Sequence, residues 1–150
     1  MGKGENMKIL VVNGPNLNFL GIREKGVYGN ETYTDLVKFI GDKAEKLKID
    51  VVILQSNSEG EIIDFLQKAY YEKLDGVVIN PGAYTHYSYA IYDAVKSISI
   101  PTVEVHLSDI QNREEFRKIS VIAPACVKQI AGKGKDGYIE AIKYLKDMKK

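Results

Sequence analysis

Residues 8 to 21 read KILVVNGPNLNFLG. Ile9 to Val12 is an unbroken apolar run, too short for a buried helix and suited to a strand covered on both faces. Asn13, Gly14 and Pro15 then end it with turn chemistry. The same figure of an apolar run entering a polar loop returns along the chain. DVVILQ (50–55), GVVIN (76–80), PTVEVH (101–106) and SVIA (120–123) read as further strands, with KILVV (8–12) the first. Between them lie stretches with a helical period: Leu36, Ile40, Ala44 and Leu47 share one face, as do Ile62, Leu66 and Ala69, then Ile91, Ala94 and Val95. A last helix takes Ile139, Ile142 and Leu145. Strand-length and helix-length segments in alternation predict an α/β chain with five parallel strands and about five helices.

Such a chain folds as a doubly wound sheet, and the expected topology is flavodoxin-like, with strand order 2-1-3-4-5. Ligands of these sheets bind beyond the carboxyl ends of the strands, where the order reverses. Those ends are polar here: NGPNLNFLG follows the first strand, NPGAYTHYS follows the third, and EVHLSD closes the fourth. Both histidines, His86 and His106, fall in these segments. The chain has three arginines against eighteen lysines, and the arginines sit at the rim: Arg23 in the first loop, Arg113 and Arg117 after the third. A guanidinium presents a fixed fork suited to oriented recognition of carboxylates and hydroxyls, whereas lysine suffices for solubility.

Composition bounds the function. At 150 residues the chain makes one domain, able to bury roughly two thirds of its unfolded surface. One cysteine, Cys126, allows no internal disulfide, and two histidines leave no metal-binding run. A net charge of +1 with both signs interspersed argues against a nucleic-acid or membrane footprint. The amino terminus has too short an apolar stretch for a secretory signal, and nothing reaches membrane-spanning length. The expectation is a cytoplasmic protein with a small-molecule partner.

Each rim residue also has a plainer reading. Tyr28, one of ten tyrosines, could simply pack; His86 could cap the helix that follows; Asn13 and Asn16 could satisfy turn backbone. Glu104 and His106 are two apart on a strand and so share a face. A carboxylate inside a buried strand is costly unless partnered. GKGKDG (132–137) has the spacing of a dinucleotide fingerprint, but too little chain follows it for the required crossover. It reads as a turn before the last helix. Asn13 and Asn80 stand where a response regulator would want acids, and the first loop is no phosphate cradle.

NGPNLNFLGIREKGVYG, LQSNSEGEIIDFLQ, INPGAYTHYS and VEVHLSDIQNREEFRKIS, in that order, resemble the type II 3-dehydroquinate dehydratases from about Met7 to the last helix. The resemblance implies a flavodoxin-like enzyme that removes water from 3-dehydroquinate to give 3-dehydroshikimate in the shikimate pathway, without metal or cofactor. It implies a dodecamer built of trimers. It makes Tyr28 the base, Arg23 the charge that favours its phenolate, Asn16 a holder of the enolate oxygen through a water, and His106 the general acid oriented by Glu104. Asn80, His86, Leu107, Ser108 and Arg117 would bind substrate, Asp93 would reach a neighbouring subunit's site, and about 20–29 would form a lid. A free phenol titrates near 10, so a base at neutral pH needs a shift of roughly 2 to 3 units, which a close guanidinium can supply.

Against the family pattern, Lys25 replaces a proline, Tyr87 a threonine, Tyr92 an arginine and Asp109 an asparagine. Residues 1–6 fall outside the match and are expected to be a disordered extension to a single domain, 7–150. The competing reading is a non-catalytic flavodoxin-like module that binds a small carboxylate; it would need Arg117 and Asn80 but have no use for Arg23 with Tyr28.

Overall fold

The computed structural model describes residues 5–22 and 30–149. Five strands, β1 (Met7–Asn13), β2 (Ile49–Gln55), β3 (Gly76–Asn80), β4 (Thr102–His106) and β5 (Lys128–Ala131), form one sheet. All pairs are parallel and the order is β2-β1-β3-β4-β5. The doubly wound order expected from the sequence is therefore the observed one.

Alternation along β1 explains why its apolar run is continuous. Ile9 and Val11 point to one face, where α1 (Tyr33–Lys46) and α4 (Asp136–Met148) cover them with Leu36, Ile40, Ala141 and Ile142. Leu10 and Val12 point to the other, against Ile62 and Leu66 of α2 (Glu59–Tyr71) and Ile91 and Val95 of α3 (Tyr89–Ile98). A strand buried on both sides has no polar face to show. The helices begin where their sequences provide caps. Thr32 and Asp35 form a reciprocal capping box at α1, and Ser58 and Ser88 accept the backbone N–H of Glu61 and Ile91 at α2 and α3. Ser88, not His86, thus caps α3.

One expectation fails. SVIA (120–123) is not a strand: Ser120 Oγ accepts from the backbone of Ile122 (3.2 Å) and Ala123 (3.0 Å), closing a turn. Pro124 follows in a short 3₁₀ turn, Ala123–Ala125. Proline has no ladder donor, and Ile122 is buried against α2 and α3 instead of joining the sheet. The fifth strand is the polar KQIA, where Ile130 alone is buried, because it is an edge strand. Four α-helices occur among the described residues, and the passage from β4 to β5 is made by the 3₁₀ turns Ile110–Asn112, Glu115–Arg117 and Ala123–Ala125. GKGKDG forms the turn preceding α4 and supplies the helix's first two residues, Asp136 and Gly137.

Candidate active site

The loops after β1 and β3 touch at the carboxyl edge of the sheet. Asn13 and Asn80 are register partners, and the backbone of Gly14 donates to Asn80 O at 2.8 Å. A β-carbon on Gly14 would lie 2.6 Å from Pro81 O, so this approach requires glycine. Beneath the contact, the buried Tyr138 of α4 donates to Asn13 Oδ1 (2.6 Å) and accepts from Asn80 Nδ2 (2.9 Å). Asn80 Oδ1 takes the backbone N–H of Gly82 at 3.2 Å. Asn13 Nδ2 reaches the hydroxyl of Tyr33 at 3.4 Å. Burial raises the Tyr138 phenol far above its ordinary pKa, so it stays a neutral donor.

Above this floor, Asn16, Asn80, His86, His106, Ser108 and Arg117 surround one cavity, with Leu107 and Arg113 completing its wall. Asn16 takes a left-handed conformation (φ 69°) and its backbone N–H donates to Asn57 Oδ1 at 2.9 Å, which aims the β1 loop across the β2 end. Ser108 accepts from Arg113 Nη1 at 3.3 Å. The carbonyls of Leu107 and Ser108 receive Gly134 and Gly132 N–H, tying the β4 end to the turn before α4.

The chemistry concentrates at the end of β4. Glu104 is fully buried, and its Oε2 lies 2.5 Å from His106 Nε2. The same carboxylate accepts from Ser120 Oγ (2.8 Å), Thr85 Oγ1 (2.9 Å) and Gln129 Nε2 (2.9 Å). Burial pushes its pKa up, but the bonds from His106, Gln129 and Ser120 outweigh burial and hold the carboxyl below the usual range. Glu104 is therefore an anion, His106 Nε2 is the donor, and Nδ1 is left for the cavity.

His86 is set the other way round. Its Nδ1 lies 2.8 Å from the carbonyl of Ile119, which can only accept, so Nδ1 carries the proton and Nε2 is an acceptor. Burial lowers its pKa, and the nearby His106 and Arg117 charges lower it further against the pull of Ile119. Arg117 Nε lies 3.2 Å from Glu114 Oε1 as an ion pair that is not aligned as a hydrogen bond, and its guanidinium stacks on Phe116 at 4.8 Å.

Eight residues named from the sequence thus line one cavity: Asn16, Asn80, His86, His106, Leu107, Ser108, Arg113 and Arg117. Glu104 stands behind His106. Asp93 does not join them; it is exposed on α3. Arg23, Lys25 and Tyr28 lie outside the described residues, as does most of the expected lid. Tyr87 is exposed, and Asp109 caps the Ile110–Asn112 turn by accepting from Gln111 N at 3.0 Å. Sequence reasoning missed Thr85, Ser120, Gln129 and Tyr138. Gln129 was hidden by the misplaced fifth strand, and nothing local distinguishes Tyr138 among the tyrosines. Among the described residues no acidic, histidine and cysteine cluster could hold a metal, and no helix is long and apolar enough to cross a membrane.

The family model described as "Dehydroquinase class II" matches residues 7–146. The chain is 66% identical to a protein named 3-dehydroquinate dehydratase from Clostridium acetobutylicum, over 95% of this chain and 98% of that one. A protein of the same name from Caldicellulosiruptor bescii is 60% identical over 94% and 97% of the two chains. The crystal structure of a type II dehydroquinase from Butyrivibrio crossotus superposes with a TM-score of 0.93 at 59% identity, covering 94% of this chain and 98% of that one. By sequence and by fold alike, the chain belongs to the class II dehydroquinase family.

Proposed function

We propose that the chain dehydrates 3-dehydroquinate to 3-dehydroshikimate through an enolate, as a carbon–oxygen lyase of the shikimate pathway. Loss of water from a β-hydroxy ketone needs a base for the proton beside the carbonyl, a holder for the enolate oxygen and an acid for the departing hydroxyl. Tyr28 is the base, with Arg23 favouring its phenolate; Asn16 holds the enolate oxygen through a water; His106 is the acid. Asn80, His86, Leu107, Ser108 and Arg117 bind the carboxylate and hydroxyls of the substrate. Residues from about 20 to 29 close over the site and bring the base to it. The chemistry uses no cofactor.

The observation that carries this reading is the His106 ring at the cavity wall, backed at 2.5 Å by a buried, ionised Glu104. A carboxylate on Nε2 fixes the tautomer and stabilises the imidazolium, which gives Nδ1 a proton to deliver and then restore. The proposal extends to assembly and location: a cytoplasmic dodecamer of trimers, in which Asp93 of one subunit serves its neighbour's site. The catalytic unit is 7–150, with 1–6 an extension.

The test is direct. Dehydroquinate added to the protein should produce the ultraviolet absorbance of the conjugated enone; folded protein that binds the compound without that signal would be a carboxylate-binding module instead.

A further inference from the structure

Glu104 receives donors from four different segments. His106 is on its own strand, Thr85 is in the Gly82–His86 turn after β3, Ser120 follows the Glu115–Arg117 turn, and Gln129 is on β5. All of them but β5 also border the cavity wall. Thr85 precedes His86, and its carbonyl accepts from Val121 N at 2.8 Å. Ser120 follows Ile119, the carbonyl partner of His86. Thr85 Oγ1 and Ser120 Oγ are themselves 2.8 Å apart. Ser120 Oγ already accepts two backbone N–H groups, so its one proton is left for the Glu104–Thr85 side.

This arrangement has a consequence for the ring. An imidazole nitrogen beside a carboxylate is bound only while it carries hydrogen; turned over, or in the other tautomer, it would set a lone pair against an anion. Whether that holds depends on the carboxylate being unable to rotate or to take up a proton. A buried carboxylate with one donor could do both, and one with donors at each oxygen has no vacant orientation to turn into.

We infer that Thr85, Ser120 and Gln129 are positioning residues that act through Glu104 to hold His106 with its proton on Nε2 and Nδ1 toward the cavity. They touch no substrate. Their proposed effect is to keep the acid's delivering nitrogen aimed, and the inference rests on the acid role given to His106 above.

The chain's two histidines make the test readable by nitrogen-15 NMR of the whole protein labelled at histidine. At about pH 8, above the ordinary histidine pKa of about 6.5, the wild-type spectrum should show opposite tautomers: Nδ1–H for His86 and Nε2–H for His106. Thr85→Val and Gln129→Leu, which keep bulk and remove a donor, should let the Nδ1–H form of His106 appear while His86 stays unchanged. Turnover should fall at least about tenfold, short of the about 10²-fold expected for complete loss of an acid, with KM moving less than about twofold. Thr85→Ser, which retains the hydroxyl, should behave as wild type. A wild-type His106 in the Nδ1–H form, or variants that keep a single Nε2–H tautomer, would overturn the inference. If Thr85→Val does not fold, Gln129→Leu on the exposed edge strand decides alone. The NMR reading needs no turnover, so a tautomer shift in a protein that forms no enone would uphold the positioning set while refuting the dehydratase reading.

Discussion

The hydroxyl of Tyr138 accepts from Asn80 Nδ2 at 2.9 Å although 58 residues separate them, and by donating to Asn13 it ties the last helix to the ends of β1 and β3. Removing that oxygen leaves a buried amide N–H and a buried amide oxygen unpaired. Tyr138→Phe should therefore cost about 1–3 kcal/mol in stability, read by chemical denaturation. Asn80 would also lose one of the two hydrogen bonds that fix its amide, the other being from Gly82 N, so substrate affinity should weaken along with stability.

Glu104 gives the fold a defined acid sensitivity. Its folded pKa lies below the ordinary value, because donors from His106, Gln129 and Ser120 overcome burial. The stability it contributes is present above the unfolded carboxylate pKa of about 4.3 and is lost as pH falls through the lower folded value. Glu104→Gln should be less stable than wild type by about 1–3 kcal/mol near neutrality. The gap should narrow on acidification below about pH 4.3. A gap that stays constant down to acid unfolding would mean the carboxylate's charge contributes nothing.

How far the sequence alone reached follows from where its signals lie. The strand order and the two apolar layers were legible because Ile9–Val12 and Val77–Ile79 are buried on both faces, and a doubly buried strand announces itself by continuous apolarity. The edge strand Lys128–Ala131 was not, since only Ile130 is buried and the more apolar SVIA lay nearby. Asn16, His86, His106, Arg113 and Arg117 were legible as polar residues in or beside the strand-end loops, whereas the binding roles of Asn80, Leu107 and Ser108 came from the family resemblance. The donors to Glu104 were not, because a buried carboxylate's partners come from distant segments and leave no local pattern: Gln129 is 25 residues away. Local periodicity reports which face is buried; it carries nothing about which polar group answers another across the fold.

Cys126 should be chemically quiet. Burial, with the Glu104 charge adding to it, pushes its thiol up to about 12, so the nucleophilic thiolate is scarce at neutral pH. Alkylation of the native protein at pH 8 should be slow and should accelerate sharply once denaturant unfolds it. Rapid native labelling would contradict that burial.

Asp93 is exposed on α3 and lines no part of its own chain's cavity. If it serves a neighbour, activity requires assembly. Sedimentation should show a large closed oligomer, and dilution into dissociating conditions should abolish turnover before it unfolds the subunits. A fully active monomer would remove Asp93 from the mechanism.

The assignment of base and tuner can be decided by two substitutions. Tyr28→Phe removes one phenolic oxygen and leaves the ring, so lid closure and substrate affinity should survive while turnover falls by at least about 10²-fold, the lower end of what a positioned base contributes. Arg23→Gln keeps length and hydrogen bonding but deletes the charge. The phenol should then return toward its free pKa near 10, which moves the ascending limb of the rate profile to higher pH. Activity lost at pH 7 should partly come back at higher pH, where the untuned phenol ionises by itself. If Arg23→Gln instead lowers the rate equally at every pH, the guanidinium positions the lid or the substrate and does not tune the tyrosine. If Tyr28→Phe keeps near-normal turnover, the base is elsewhere. Tyr33 is then the nearest alternative in sequence, but its hydroxyl is engaged by Asn13 and burial raises its pKa, the wrong direction for a base at neutral pH.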